Sequence, residues 1–592
     1  MTEKKSDREP RLAGDILWDL RDLYSGPEAE ELNAEMKKWD ELAVTLASEY
    51  KGGVARLDAK GILKLVQQLE DLEKGLAKLE TYVFLNFITQ THDAAASALV
   101  QKVEELGATV GSHTVFFQLE WNSIPEERAS ELLTAPLLGK YHHYLAEMRK
   151  FAPHQLSSPE EQLLQELSPV GRSAWLMLFE KVMGAAKFGP GERSEEEVLS
   201  DLYADDRLVR KQAAEDLTDG LQKHRHILTH IFNTLAAEKM IVDRKRSYSS
   251  WISKMNLENE LADTTVDTLV QTVTERYDIV HAYYRLKKQV IGLDELCDYD
   301  RYAPVPGLDN TIVPWEECRS IVVQGFGGFS PRMAEIAELF FKKNWIHAPV
   351  MDGKRGGAFA HPCVPEVHPY VMVNYTGNLR DISTVAHELG HGIHQYLAAD
   401  QDFYNSSTTL VLAETASVFA ELLVFKAQRD LLSDPVARRA FTCQKLESIF
   451  ATVFRQVSMN RFEHAMHNAR RGGGELSAET LSDLWLETQR PMFGDSVTLS
   501  ENYGLWWSYI PHFLSTPGYV YSYAFGELLV LALYARYLKE GEGFVDKYLA
   551  LLAAGGVDTP YNLLQPFDIK LDDPAFWHGG LSVIEQMLKE VE

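Results

Sequence analysis

Apolar residues recur at helical spacing through most of the chain. Between residues 60 and 115 they return every three or four positions with charged residues between them, and similar patterns run through 195–240 and 262–290. Such spacing places apolar side chains on one face of a helix, which then packs against a core. We therefore predict a mainly α-helical protein whose first half is a layer of amphipathic helices. The apolar positions of the first pattern are Leu63, Val66, Leu69, Leu72, Leu76 and Leu79.

One short segment departs from the helical pattern. Tyr370–Asn374 reads Tyr-Val-Met-Val-Asn, a run of residues that favour β-structure. It follows the turn-forming sequence Gly356–Ala358 and leads into Tyr375–Gly377. The sequence therefore predicts a strand at Tyr370–Asn374, followed by a further helix.

Two histidines stand four residues apart on that helix. We predict that it begins between Asp381 and Ser383, because those side chains can cap its first free amides. His387 and His391 then lie on nearly the opposite face from an apolar stripe, so the helix packs on one side and presents two imidazoles on the other. The stripe comprises Val385, Leu389, Ile393 and Tyr396.

His387, Glu388 and His391 form a His-Glu-x-x-His motif. Two neutral imidazole nitrogens one helical turn apart can both reach one Zn²⁺ at about 2.0–2.1 Å. Glu388 between them is placed to accept a proton from an attacking water, which is the chemistry of a zinc peptidase. The alternative is a pair of core histidines bonded to the backbone, but a motif of this form on a predicted helix favours the metal site.

A catalytic zinc usually has three protein ligands and one open position, so a third ligand is expected downstream. Metzincins carry Gly three residues after the second histidine, and His394 stands there, which excludes that class. A carboxylate on a following helix is the alternative, and Val411–Glu421 offers Glu414 as the predicted third ligand. Glu421 is the competing ligand, or else a hydrogen-bond acceptor for a ligand histidine. His394 is predicted to lie on the helix surface or to contact a ligand.

The net charge of the chain argues against two classes of binding partner. Acidic residues outnumber basic ones by 86 to 59, a formal charge of −27 that repels phosphate backbones and anionic membranes. We therefore expect neither nucleic acid nor a membrane as a partner. Between Glu501 and Glu527 there is no charged residue, yet prolines, glycines and hydroxyls argue against a membrane span. This stretch is predicted to be a buried or cleft-lining loop.

The N-terminus and the cysteines favour a cytoplasmic protein. Met1–Pro10 is polar and lacks the apolar run that a signal peptide requires, so residues 1–14 are predicted to be a disordered tail. The four cysteines are far apart and form no Cys-x-x-Cys pair, which argues against both a disulfide framework and a thiolate metal site. They are Cys297, Cys318, Cys363 and Cys443.

Several motifs occur together in the order of a known group of peptidases. These segments are Trp18–Tyr24, Gly353–Phe359, Asn374–Gly377, His387–His391 and the Glu-x-x-Ser element Glu414–Ser417. Through them the chain resembles the oligoendopeptidase F group of the thimet oligopeptidase-like family of zinc metallopeptidases, and the resemblance covers most of its length.

The resemblance implies an elongated, almost wholly helical molecule with a deep narrow substrate channel. It implies one Zn²⁺ per chain on the channel floor, a small β-sheet beside the motif helix, and internal hydrolysis of short unstructured peptides. By analogy, the strand Tyr370–Asn374 would offer its edge to the substrate backbone. We predict a helical domain at 15–195 and a catalytic domain at 196–592, and the sequence gives no indication of the oligomeric state.

The segment Pro511–Gly526 resembles the flexible loop that carries His and Tyr opposite the zinc in this family. The resemblance implies that His512, Tyr519 and Tyr523 donate hydrogen bonds to the oxyanion formed when water adds to a peptide carbonyl. Tyr521 is the alternative among the tyrosines. An aromatic, strand-like wall without a catalytic role is the other interpretation of this segment.

Two other functions share parts of this pattern. A zinc carboxypeptidase or dipeptidyl carboxypeptidase would use the same metal site but would need a cationic pocket for the terminal carboxylate of its substrate. A non-catalytic, helical peptide-binding protein would need the histidines but not Glu388, whose presence favours an enzyme. The sequence therefore predicts a zinc-dependent oligoendopeptidase.

Overall fold

The fold is mainly helical, as predicted. The computed structural model describes residues 12–308 and 312–592, so residues 1–11 of the predicted tail lie outside the described residues. Helices account for 71% of the chain and three short strands form one sheet, which confirms the predicted fold class. The four cysteines are free thiols.

The described residues divide into two compact units, each built from separate stretches of the chain. This division differs from the predicted domains at 15–195 and 196–592, whose boundaries stay predictions. Of the described residues, the first unit contains 12–152, 312–431 and Tyr537–Asp568, and the second contains 153–308, Leu432–Arg536 and Ile569–Glu592.

The first unit opens with the predicted layer of amphipathic helices. Asp58 and Asp93 accept hydrogen bonds from first-turn amides and so begin the second and third helices. Of the six predicted apolar positions five are buried, and only Leu63 is half-buried. The helices are α1 (Glu30–Tyr50), α2 (Ala59–Ile88), α3 (Ala94–Thr114), α4 (Phe116–Ser123), α5 (Glu126–Leu133) and α6 (His142–Lys150).

The second unit opens with the other two helical patterns. Both predicted stretches, 195–240 and 262–290, are helical, and their apolar positions are largely buried. The helices are α7 (Ser158–Leu167), α8 (Arg172–Ala185), α9 (Glu195–Asp201), α10 (Arg207–Lys245), α11 (Ser253–Glu258), α12 (Asp263–Thr274) and α13 (Tyr277–Val290).

The sheet lies in the first unit, between two pairs of helices along the chain. The predicted strand is present and is one residue longer than predicted. The prediction that it offers a free edge to the substrate is wrong, because it is the central strand, parallel to one neighbour and antiparallel to the other. The sequence did not reveal the flanking strands, which are too short to show alternation. The elements are α14 (Trp315–Gly327), α15 (Pro331–Lys342), β1 (Ile346–Pro349), β2 (Phe359–His361), β3 (Tyr370–Tyr375), α16 (Leu379–Ala398) and α17 (Leu410–Leu431).

The uncharged stretch between Glu501 and Glu527 is buried, as predicted, but it is not a loop. A 3₁₀ helix at Glu501–Tyr509 and two α-helices occupy most of it, and its core is aromatic, with Trp506 and Trp507 buried. The remaining helices are α18 (Pro435–Thr452), α19 (Phe454–Gly473), α20 (Ala478–Phe493), α21 (His512–Ser515), α22 (Tyr521–Glu540), α23 (Glu542–Ala554), α24 (Pro560–Leu564) and α25 (Pro574–Lys589).

Short 3₁₀ helices connect several of these elements. In the part of the chain that the structure describes, no helix combines the length and the apolar character needed to cross a membrane. The 3₁₀ helices other than Glu501–Tyr509 are Leu20–Asp22, Val54–Arg56, Pro136–Tyr141, Ala152–His154, Ser168–Val170, Asp298–Tyr302 and Gln565–Phe567.

Candidate metal centre

Helix α16 begins a few residues before the predicted start at 381–383. Asn378 is its N-cap, and the Asn378 Oδ1 atom accepts a hydrogen bond of 3.0 Å from the backbone N–H of Asp381. The Asp381 carboxylate reaches back and accepts hydrogen bonds from Thr376 and from the backbone N–H of Gly377 at 2.6–2.9 Å. Asp381 therefore orders the turn between β3 and α16 instead of capping the helix.

The apolar stripe of α16 packs into the first unit as predicted. Val385, Leu389 and Ile393 are buried, whereas Tyr396 is half-buried. Gly390 lies against α17, where an added methyl group would stand 2.6 Å from the carbonyl oxygen of Ala416. A glycine inside a helix costs about 1 kcal/mol relative to alanine, so close packing explains its presence.

Three side chains from α16 and α17 converge on one point. The Glu414 Oε2 atom lies 3.4 Å from Nε2 of His387 and 3.4 Å from Nε2 of His391. Each of the three residues offers one donor atom, and these atoms lie within 4.8 Å of one another. Donor atoms bound tetrahedrally at about 2.0–2.1 Å stand about 3.3 Å apart, so the observed spacing fits a zinc ion.

One further carboxylate and one hydroxyl group orient these donors. The Glu421 Oε2 atom lies 3.4 Å from Nδ1 of His387, which favours a proton on Nδ1 and leaves Nε2 free to bind a metal. The Ser417 hydroxyl donates a hydrogen bond of 2.6 Å to Glu414 Oε2. The structure thus brings Glu414 to both histidines, and places Glu421 where an acceptor for a ligand histidine is expected.

Gly390→Ala is expected to weaken both folding and metal affinity. A methyl group 2.6 Å from the Ala416 carbonyl must push α17 away from α16, and Glu414 moves with α17. Overpacking of this kind costs about 1–3 kcal/mol, which thermal unfolding and a competitive metal titration would detect. The matched control is Gly579→Ala at an exposed position of helix α25, where the methyl group would meet nothing within 4 Å. Equal stability and metal affinity in the Gly390 variant and wild type would contradict this packing role.

The histidines and carboxylates of the centre stabilise each other's charged forms. Burial alone would lower the pKa of His387, but Glu421 and Glu414 raise it to about 9. Burial alone would raise the pKa of Glu414, yet His391 and His387 lower it to about 2. Opposite charges thus compensate for burial on both sides of the cluster. A metal ion that binds here must displace the proton on His387.

Glu388 is buried between the two histidines, beside the sheet. It is 7% exposed, and burial raises the pKa of its carboxyl against the charges of His387 and His391. The backbone N–H of Ala360 interacts with the same carboxyl and lowers its pKa. Because Ala360 belongs to β2, strand β2 lies beside Glu388.

His394 is buried on α16 and lies outside the donor set. It is 8% exposed, so the alternative of a surface position is wrong. Burial, together with the charge of His391, lowers the pKa of His394 to about 4. The imidazole is therefore neutral at neutral pH and packs as a core side chain next to the centre.

Lys354 holds the segment that precedes β2, a role that sequence reasoning missed. Its Nζ atom donates hydrogen bonds to the carbonyl oxygens of Val373, Pro349 and His347 at 2.6, 2.9 and 3.2 Å. It thereby ties the segment to β1 and β3, and burial lowers the pKa of the amine to about 7. The resemblance at Gly353–Phe359 was the available signal, but the carbonyl partners come from elsewhere in the chain.

His512, Tyr519 and Tyr523 form a cluster in the second unit. The Tyr523 hydroxyl lies 3.4 Å from Nε2 of His512. The rings of His512 and Tyr519 stack with centroids 6.2 Å apart, and those of Tyr519 and Tyr523 lie 4.9 Å apart. Burial and the charge of Arg455 lower the pKa of His512, so the imidazole is neutral at neutral pH. The cluster presents uncharged hydrogen-bonding groups.

Tyr521 is separated from that cluster. Its side chain is buried, and its hydroxyl accepts a hydrogen bond of 2.9 Å from Nδ2 of Asn259. Helix α22 begins at Tyr521, so Tyr521 and Tyr523 point to different sides. The segment is therefore helical and not strand-like, whereas the catalytic role of the cluster stays a prediction.

Family models match both the N-terminal and the C-terminal parts of the chain. Residues 331–582 match the model described as Peptidase family M3, and residues 120–188 match the model described as Oligopeptidase F. Oligopeptidase PepF of Bacillus subtilis is 28% identical to this chain, and the match covers 100% of this chain and 89% of the relative. The similarity therefore extends well beyond the metal-binding motif.

Solved structures share the fold over nearly the whole chain. A crystal structure from Chlamydophila abortus has a TM-score of 0.85 at 23% identity, covering 97% of this chain and 98% of its own. The crystal structure of oligoendopeptidase-F from Enterococcus faecium has a TM-score of 0.70 at 22% identity, covering 95% of this chain and 96% of its own. The solved structures share the fold. The two family models and the relative that matches the whole chain establish that the protein is a metalloendopeptidase of peptidase family M3 and belongs to its oligoendopeptidase F group.

Proposed function

We propose that the protein is a zinc-dependent oligoendopeptidase that hydrolyses internal bonds of short, unstructured peptides. The observation that carries this proposal is the convergence of His387, His391 and Glu414 beside the buried Glu388. Two imidazole nitrogens and one carboxylate oxygen are a ligand set that zinc prefers, and their spacing supports one ion at this site. The four free thiols fit a reducing compartment such as the cytoplasm.

Each residue of the centre has a defined task in this proposal. His387, His391 and Glu414 would hold the zinc ion, which when bound would supply an activated water and polarise the scissile carbonyl. Glu388 accepts the proton of that water and passes it to the amine of the departing product. Glu421 keeps the proton of His387 on Nδ1, and Ser417 fixes the Glu414 carboxylate by its 2.6 Å hydrogen bond.

The substrate backbone would pair with β2, since that strand has one partner and lies next to Glu388. In the described part of the chain the strand order is β1-β3-β2, so β2 has a free side. Main-chain pairing with an edge strand requires an extended peptide and tolerates many sequences. The same segment inside a folded domain cannot offer its backbone in this way, which supports short unstructured peptides as substrates.

The His512 cluster is our candidate for oxyanion stabilisation. We expect Tyr523→Phe and His512→Ala each to lower kcat by about 10²–10³-fold while zinc content and substrate affinity stay near wild type, because such donors act in the transition state. Tyr519→Phe should show a smaller loss. Steady-state kinetics with an internally quenched peptide and metal analysis provide the measurement.

Tyr521→Phe is the matched control for this cluster. It removes a hydroxyl from the same segment, but that hydroxyl is bonded to Asn259, so stability should fall and kcat should not. If the other three variants keep wild-type kcat, or lose only substrate affinity, the cluster is a structural wall or a binding surface and its catalytic role is refuted.

Mass-spectrometric mapping of cleavages in a mixed peptide library tests the function as a whole. We expect internal cleavage of peptides with free or amidated C-termini, and no cleavage by Glu388→Gln. Products released only from free C-termini would identify a carboxypeptidase or dipeptidyl carboxypeptidase. Stoichiometric zinc without turnover of any peptide would instead favour a peptide-binding protein.

A further inference from the structure

Three aromatic rings gather on one face of strand β2. Phe359 and His361 are two residues apart on the strand, so their side chains project to the same face. Phe84 of α2 stands over both, with its ring centroid 5.7 Å from that of Phe359 and 5.6 Å from that of His361. The rings of Phe359 and His361 lie 6.5 Å apart. We call Phe84, Phe359 and His361 the aromatic face.

The aromatic face is neither core nor free surface. All three side chains are half-buried, although neighbouring residues of α2 such as Tyr82 and Leu85 are buried completely or nearly so. Phe84 and Phe359 pack against the core of the first unit, and all three side chains remain partly accessible. A ring surface that remains accessible next to an unpaired strand edge can be covered by a bound peptide.

The aromatic face is uncharged, and a cation lies at its rim. Burial lowers the pKa of His361 to about 4, and its Nδ1 atom accepts a hydrogen bond of 3.4 Å from the backbone N–H of Cys363. The imidazole is therefore neutral at neutral pH. The guanidinium of Arg355 lies 5.9 Å from the Phe84 ring centroid, where it would repel a basic side chain.

Strand geometry fixes which substrate positions would meet this surface. A peptide paired with the free side of β2 sends its side chains alternately to the two faces of the sheet. Substrate residues opposite Phe359 and His361 project to the side of the aromatic face. Their Cβ atoms lie about 4.5–5.5 Å from the Cβ atoms of Phe359 and His361. The residue between them lies opposite Ala360 and projects to the other face. Two substrate positions separated by one residue thus contact the rings.

We propose that the aromatic face is a specificity-determining surface that selects aromatic or large aliphatic side chains, and disfavours basic ones, at two alternate positions of the bound peptide. The inference rests on the proposed function and adds a substrate class to it. It follows from three observations: the rings share one face, they are half-exposed, and the strand that carries two of them is the edge strand beside Glu388.

The test compares cleavage of matched peptides by wild type, Phe84→Ala, Phe84→Leu and Phe359→Ala. Library mapping with wild type should show enrichment of Phe, Tyr, Trp or Leu, and depletion of Lys and Arg, at two positions separated by one residue. For peptides that differ only at those positions, the ratio of kcat/KM for Phe over Ala should be about tenfold or more in wild type. The alanine variants should bring the ratio close to one, and Phe84→Leu should lie between.

The outcomes separate this inference from the proposed function. Phe84→Leu keeps an apolar group against the core, so it reports on selectivity even if Phe84→Ala does not fold. If wild type cleaves peptides but shows no alternate-position preference, or if the soluble variants keep the wild-type ratio, the aromatic face is only a packing contact. If wild type cleaves no peptide at all under conditions where zinc is bound, the proposed function itself fails.

Discussion

Glu388→Gln is expected to keep its zinc and to lose about 10²–10⁴-fold in kcat, since general acid–base catalysis by a positioned carboxylate contributes that much. The amide has nearly the same shape and retains an oxygen that can accept from the backbone N–H of Ala360, so the surroundings of the residue should be preserved. It cannot take the proton of the attacking water. Glu388 is also not one of the three converging donors, so metal content should not change.

The measurement pairs metal analysis with single-substrate kinetics on the same preparation. Zinc content near one per chain with kcat reduced at least a hundredfold is the expected result. Activity near that of wild type would refute Glu388 as the general base. Loss of zinc in this variant would show that the residue supports the centre and would leave its role in proton transfer unsupported.

His387→Ala and His391→Ala are expected to abolish stoichiometric zinc binding, and with it turnover. Each change removes one of the two imidazole nitrogens that face Glu414 at 3.4 Å. His394→Ala is the matched control, because it removes a buried histidine from the same helix but leaves the donor set intact. Zinc content after dialysis, compared with thermal unfolding curves, separates loss of metal from loss of fold. Full zinc occupancy in either ligand variant would contradict the assignment.

Glu414 and Glu421 are distinguished by the same measurement. Glu414→Gln should lose zinc as the histidine variants do, whereas Glu421→Ala should weaken affinity by about 10–100-fold, as removal of a ligand's hydrogen-bond partner does. If Glu421→Ala loses zinc and Glu414→Gln only weakens its affinity, Glu421 is the ligand and Glu414 the supporting residue. Glu421→Gln retains an acceptor oxygen for His387 and should restore part of the affinity.

The convergence of His387 and His391 could be predicted because its geometry is local. His387 and His391 share a helix face by their spacing alone, and α16 carries them toward one point. Which of Glu414 and Glu421 reaches both histidines cannot be read from local spacing, since both lie on α17, two turns apart. It depends on the position of α17 along α16, which the contact of Gly390 with Ala416 helps to set. No spacing rule in the sequence contains that contact.

The sheet was predicted less well than the motif helix, and the roles of the tyrosines stay predictions. Strand β2 has three residues and is held by its pairing with β3 and by the bonds of Lys354 to carbonyls of β1 and β3, neither of which leaves a periodic pattern. For the tyrosines, the type of secondary structure determines which side chains lie on the same side of the segment. A strand would align Tyr519, Tyr521 and Tyr523, whereas the turn and helix in the structure direct Tyr521 into the core.

The shortness of β2 also bears on self-association. An unpaired strand edge is a template for any extended chain, including that of a second copy, and long edges of this kind promote aggregation. The three residues of β2 are bounded by Gly356 and Gly357 before the strand and by Pro362 directly after it, and proline has no N–H with which to continue a ladder. The edge can therefore admit a short peptide, yet it is too brief to join copies of the protein into a continuous sheet.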